Sequence, residues 1–189
     1  MSRAFVTVVL SPERLVFAAT VGVQRSVQNI IEGRNNRYGC DNDVCWQRSV
    51  TGAIGECAVA QHQRVYWDGA IGNYAAKDAG LYQVRCSEYP MAKLCVHPTQ
   101  DERGKKGDAD EDVFILALAH ALPRVFLVGW LFGHEAKRPE WWGEVKPGFG
   151  RKAFFAPHEA LHPIETLPDL SPHDDGERAR LTRLVETLR

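Results

Sequence analysis

Residues 78–86 read Asp78-Ala79-Gly80-Leu81-Tyr82-Gln83-Val84-Arg85-Cys86, and the conformation of this stretch decides how its neighbours are arranged. The run from Leu81 to Cys86 alternates polar and apolar residues, which predicts a β-strand. Residues two apart on a strand share a face, so Gln83 and Arg85 point together while Tyr82, Val84 and Cys86 point to the other side. Asp78 stands just ahead of the strand. The plainest reading is a half-buried edge strand with one solvated face.

Working outward toward the N-terminus, Val44 to Gln63 predicts a helix with Trp46, Val50, Ala53, Ile54, Cys57, Ala58 and Ala60 on one apolar face. At 100° per residue Glu56 falls about 40° outside the edge of that face, a carboxylate at the border of the core. Gly52 and Gly55 cost helix propensity there, which predicts close approach by another backbone or a ligand. Further upstream, Phe5 to Leu10 is β-branched and apolar, and Ser11-Pro12 supplies an N-cap followed by proline at the first helical position. The helix so begun is expected to run to Glu32 and to bury the stripe Leu15, Val16, Ala19, Val23, Val27, Ile30 and Ile31. Gly33 to Asn42 is polar and turn-rich and ends it.

On the C-terminal side short strands are expected at Arg64–Trp67, Lys93–His97, Asp112–His120, Val125–Phe132 and Lys152–Ala156. Gln100 to Glu111 is charged and contains glycine, which reads as a mobile hairpin tip between two strands. Gly133 to Arg138 fits a single helical turn. The expected fold is therefore α/β: two N-terminal helices, then a mixed central sheet of about five or six strands. Residues 1–163 form one domain in this reading. Residues 164–189 add a segment rich in proline and acid and a short C-terminal amphipathic helix over 176–188, with Leu181, Leu184, Val185 and Leu188 on one stripe.

Composition narrows the classes. The 189 residues are 44% hydrophobic and 25% charged, which excludes low complexity and wholesale disorder. The longest strongly apolar run, Val113 to Leu118, falls far short of the ~18 residues that cross a bilayer. The N-terminus has no basic stretch leading to a small-residue cleavage site, so a soluble, unprocessed, cytoplasmic chain is expected. Five cysteines, an odd number in a chain large enough to fold without staples, predict reduced thiols. The formal net charge of -1 shows no basic signature by itself. Residues 100–112 and 164–189 together carry -5, however, and the remainder carries +4, a mildly basic body masked by an acidic loop and tail.

A helix carboxylate, an aspartate at the head of a strand, and then an oxygen donor and a cation at alternate strand positions form a recognisable order. That arrangement, on Glu56, Asp78, Gln83 and Arg85, resembles the PD-(D/E)XK nuclease superfamily. Within it, the run Gly52-Ala-Ile-Gly-Glu56-Cys-Ala-Val-Ala, followed by Asp78-Ala-Gly and Gln83-Val-Arg85, looks like a group of small uncharacterised bacteriophage proteins. Gly129-Trp130 and the late Phe154-Phe155-Ala-Pro157 are further shared features, and the likeness spans roughly residues 12–168. The resemblance implies a restriction-endonuclease-like core and hydrolysis of DNA phosphodiester bonds, with RNA as an alternative substrate. It implies Mg²⁺ or Mn²⁺ held by Glu56, Asp78 and Gln83, with Arg85 at the phosphate and the host-cell cytoplasm as the place of action. Two departures matter. Arginine replaces the usual lysine and cannot be a general base, although its planar fork can clamp a phosphate oxygen. Gln83 in place of an acid lowers the ligand charge and weakens metal binding. A catalytically lapsed nucleic-acid-binding or regulatory protein on the same fold is the alternative.

His158-Glu159-Ala-Leu-His162 also matches the HExxH pattern of zinc peptidases. Pro157 and Pro163 flank it, and a residue before proline is pushed out of helical geometry, so a helix through both histidines is not expected. Cys40 and Cys45 flank an acidic stretch without a C-x-x-C pair, a weak zinc signature. Lys137-Arg138 beside Trp141-Trp142, and Arg151-Lys152, are the candidate phosphate contacts. Trp130, Trp141, Trp142, Phe149, Phe154 and Phe155 read as packing aromatics rather than a base-stacking platform.

Overall fold

The computed structural model describes residues 5–33, 42–72, 77–100, 104, 106–148 and 150–170. The expected C-terminal helix over 176–188, Cys40 and Phe149 lie outside the described residues. In chain order the elements are β1 (Val6–Val9), α1 (Pro12–Ile31), α2 (Asn42–Gln63), β2 (Gln83–Ser87), β3 (Leu94–Val96), β4 (Val113–Ala121), β5 (Arg124–Phe132), α3 (Gly133–Ala136), β6 (Trp142–Glu144) and β7 (Lys152–Ala156). Short 3-10 turns occupy Pro139–Trp141, His158–Ala160 and Ile164–Thr166.

The start of α1 follows from its sequence: Ser11 accepts a hydrogen bond from the Arg14 amide at 3.3 Å, and Pro12 stands in the first turn, where a missing N–H costs nothing. Its packing differs from expectation. The residues it buries are Ala18, Val21, Gly22 and Ser26, whereas Val16, Val23, Val27, Ile30 and Ile31 are exposed. The reason is Gly22. A Cβ there would stand 2.4 Å from the Val50 Cα of α2, so the small side of α1, not its larger apolar stripe, lets the two backbones close on each other.

The class is α/β, but the single sheet of five or six strands is two sheets. One has the order β1-β5-β4-β2, with β2 parallel to β4 and the other pairs antiparallel, and the other has the order β3-β7-β6. β4 explains the layering. Val113, Ile115 and Ala117 turn to one side and join Ala58, Val59 and Val84 beneath the helices. Phe114, Leu116 and Leu118 turn to the other and join Leu94, Val96 and Ala156 of the second sheet. A strand covered on both faces reads as a continuous apolar run, which is what β4 is.

Three other expectations are corrected. Arg64–Trp67 pairs with no strand among the described residues; Arg64 takes a left-handed φ of 55°, turning the chain off the end of α2, and Trp67 then packs edge-to-face on Phe17 at 5.4 Å. The 100–111 segment does turn back on itself, through an isolated antiparallel bridge between Gln100 and Lys106, but β3 and β4, which it joins, belong to different sheets and do not pair with each other. Its second half is tied down: Gly107 N–H donates to Thr99 O at 2.8 Å, and a Cβ on Gly107 would stand 1.9 Å from Pro98 O. Of the two glycines expected to permit close approach in α2, Gly55 does so, since a Cβ would meet the Cys86 Cβ of β2 at 2.4 Å, while Gly52 faces open space.

Candidate functional site

β2 is an edge strand, so every second backbone N–H points away from the sheet with no strand to receive it. The Val84 N–H donates instead to Asp78 Oδ2 at 2.8 Å. Asp78 reaches that position through a tight turn in which its own N–H and that of Ala79 donate to Tyr82 O, with Gly80 at φ +59°. The local sequence Asp-Ala-Gly thus places a carboxylate at the head and outer edge of β2.

Val84 and Cys86 pack toward the helices, so Gln83 and Arg85 face the second sheet, as the alternation predicts. Arg85 lies with its guanidinium 5.0 Å from the Phe114 ring centroid, donates through Nε to Cys95 O at 3.1 Å, and meets Asp108 with Nη2 at 3.0 and 2.9 Å from its two oxygens. Its Nη1 lies 3.8 Å from Asp78 Oδ2. Asp108 Oδ2 also accepts the His97 N–H at 2.7 Å. The Gln83 amide is half-buried, and neither it nor Asp78 Oδ1 takes a hydrogen bond from the described residues.

Glu56 sits on the helix side of β2. It is buried at 5% exposure and holds Arg25 of α1 in a two-point pair, Nη1 to Oε1 at 2.6 Å and Nη2 to Oε2 at 2.8 Å. Trp67 Nε1 donates to the same Oε2 at 3.1 Å, and Arg25 Nε donates to Ala70 O at 2.9 Å. Burial pushes the Glu56 carboxyl above its ordinary range, against the pull of Arg25, and the nearby Asp78 charge adds to the push. Burial opposes the Arg25 charge too, but the bond to Glu56 and the charges of Glu56, Asp78 and Asp68 together more than offset it and hold the guanidinium protonated. The two tendencies disagree about the pair, and the bidentate geometry decides for an ion pair at neutral pH. Asp78 is likewise pushed up by burial, against Arg85, the Val84 amide and Arg25. It is the member common to both halves, since the charges of Arg25 and Arg85 both act on it.

The four residues singled out from sequence therefore gather around the head of β2, in two groups on either side of the strand. Asp78 and Arg85 are brought together; Glu56 and Gln83 are divided by the strand between them. Among the described residues no three His, Cys, Asp or Glu side chains converge as a metal set. The donors that are present, Asp78 Oδ1 and the Gln83 amide oxygen, are hard oxygens of the kind Mg²⁺ and Mn²⁺ take, while Glu56 stands on the other side of β2 with both oxygens accepting from Arg25 or Trp67.

Two members of the cluster escaped sequence reasoning. Arg25 lay hidden because the helix was oriented by its larger apolar stripe, although its position beside Val21, Gly22 and Ser26 marks it once the glycine is taken as the contact. Asp108 lay in the segment read as a loop tip. The candidate phosphate contacts divide. Lys137 is withdrawn, its Nζ bound to Thr99 Oγ1 at 2.7 Å, Asp108 O at 2.6 Å and Asp110 Oδ1 at 2.5 Å. Arg138 is exposed and stacks 4.8 Å over Trp141, Arg151 is half-buried, and Lys152 is exposed beside Glu144 across the β6–β7 pair.

The HExxH segment is a 3-10 turn that ends before His162, as its flanking prolines predict. His158 Nε2 meets Ala92 O at 2.7 Å, while His162 Nε2 meets Glu135 at 3.0 Å, so the two rings serve different partners. Four described cysteines are free thiols, and burial raises Cys86 to about 12 and Cys95 to about 11, the chemistry of inert core groups. No helix among the described residues is long and apolar enough to cross a membrane. No protein-family model, curated protein or solved structure matches the chain.

Proposed function

We propose that the chain is a divalent-metal-dependent nuclease of PD-(D/E)XK type that hydrolyses DNA phosphodiester bonds at the head of β2. The observation that carries the reading is the pairing of Asp78 with Arg85 at 3.8 Å on an edge strand, beside a Gln83 amide with no hydrogen bond to the described residues. Asp78 and Gln83 would hold Mg²⁺ or Mn²⁺, which when bound supplies a nucleophilic water at neutral pH and charge to offset that of the phosphate. Arg85 clamps a non-bridging phosphate oxygen through its fork and stays protonated throughout. Asp108 and the Cys95 carbonyl fix its orientation. Arg25 holds Glu56 at the back of the strand, so that the negative field at Asp78 is balanced before substrate arrives.

The test is cleavage of supercoiled plasmid and of single-stranded DNA by the full chain in Mg²⁺ or Mn²⁺. Strand scission that is lost in Asp78→Asn, with an unchanged far-UV spectrum, is expected. One observation favours a second reading, a lapsed nucleic-acid-binding protein on the same fold: Glu56 is already held in a two-point ion pair with Arg25, and Arg85 already meets both Asp108 oxygens through Nη2. Salt-sensitive DNA binding without scission under any divalent ion would establish that reading and end the first.

A further inference from the structure

Helix α1 is apolar on two opposite sides, and only one is covered among the described residues. Away from α2, Val16, Thr20, Val23, Val27 and Ile30 fall within about 40° of one line along the helix. They are open to solvent, with Val16 67%, Val23 39%, Val27 40% and Ile30 58% exposed, and Ile31 beside them at 73%. The steps between them alternate four and three, the 3.5-residue period by which one helix follows another. Thr20 does not interrupt the stripe, because its hydroxyl donates to Val16 O at 2.8 Å and leaves the methyl outward. No charged residue lies on the line from Val16 to Ile31.

We propose that this stripe is a self-association surface, on which the same stripe of a second copy of the chain packs about a two-fold axis. An uncharged face is self-complementary, since nothing on it repels its own image. It exposes roughly 500 Å² of apolar surface, at the upper end of what monomeric proteins leave contiguous. Two copies would bury up to about 1,000 Å², the threshold of a specific interface and the size of a weak, reversible pair. The pairing is independent of the nuclease reading, because it uses the side of α1 opposite Arg25.

Sedimentation velocity of the full chain from about 1 to 100 µM tests it, a range that brackets a micromolar constant. A reversible dimer is expected. Val23→Glu with Val27→Glu, both at exposed positions, weakens it at least about a hundredfold with an unchanged circular-dichroism spectrum, and Val23→Leu with Val27→Leu tightens it. A monomer throughout the range, a dimer indifferent to the glutamates, or loss of folding in the glutamate variant each overturns the proposal. So does a monomer that becomes a dimer on Leu181→Glu with Leu184→Glu, which would assign the stripe to the chain's own terminal segment.

Discussion

Replacing Arg25 by methionine keeps most of the aliphatic bulk of the side chain and removes the guanidinium that neutralises Glu56. In the native protein the Glu56 side chain is 7% exposed and takes two charge-assisted hydrogen bonds from Arg25 and one from Trp67. In the variant only the Trp67 bond remains, and the carboxyl has two choices. It can stay ionised and buried without its partner, at about 3–5 kcal/mol. Or it can take up a proton, which at pH 7 costs a carboxyl of ordinary pKa about 3.7 kcal/mol. The cheaper route caps the loss, so Arg25→Met is expected to cost about 3–4 kcal/mol at pH 7. At pH 5 the cap falls to about 1 kcal/mol, because protonation is then nearly free. The sign follows from linkage. With the folded-state pKa raised above the unfolded one, the native state binds the extra proton, and stability falls as pH rises from the ordinary glutamate range toward the folded pKa. Urea denaturation of the wild type and the variant at both pH values reads the two differences directly. Equal losses at pH 5 and pH 7, or a loss below about 1 kcal/mol at pH 7, would show that Glu56 reaches water once Arg25 is gone and refute the buried-pair account. Arg25→Met with Glu56→Met should recover most of the stability, since an apolar pair of similar volume replaces a buried ion pair at little cost.

Glycine substitutions separate close approach from simple flexibility. Gly22→Ala should cost about 2–4 kcal/mol in denaturant titrations, because its Cβ would strike the Val50 backbone at 2.4 Å. Gly52→Ala, with open space around it, should be neutral or stabilise by up to about 1 kcal/mol through helix propensity. Asp108→Asn should lower DNA cleavage more than it lowers stability, since it loosens the Arg85 fork while leaving an amide to receive His97 N–H; unchanged cleavage would remove Arg85 from the phosphate role. Glu135 ends below its ordinary range even though burial opposes this, because the Phe132 amide and His162 stabilise its charge. Its contribution is present above the unfolded carboxylate pKa and lost as pH falls, so Glu135→Gln should flatten the acid limb of the stability profile by less than about 1 kcal/mol, because solvent screens the His162 pair.

Much of the chain's local structure is legible in its residues. Ser11-Pro12 starts α1, the proline pair around His158 and His162 denies them a helix, and the alternation around Val84 assigns Gln83 and Arg85 to one face. These are short-range effects of capping, ring closure and pleat geometry, and no distant residue can reverse them cheaply. Which side of an element meets its neighbour is a different question, and periodicity alone misleads there. The stripe of α1 from Val16 to Ile31 is the more hydrophobic face, yet the helix turns Gly22 inward, because backbone-to-backbone approach with α2 outweighs the burial of those side chains. That rotation brings Arg25 to Glu56, just as the crossing from β3 to β4 brings Asp108 to Arg85. The sequence by itself determined the α/β class, the two long helices and most strands, and the candidate group Glu56, Asp78, Gln83 and Arg85. Only the tertiary structure decided that the strands divide between two sheets, that β2 stands between Glu56 and Gln83, and that arginine and aspartate from distant segments compensate the site. Electrostatic partners are chosen by proximity in the folded chain, and proximity between segments this far apart is a property of packing rather than of spacing.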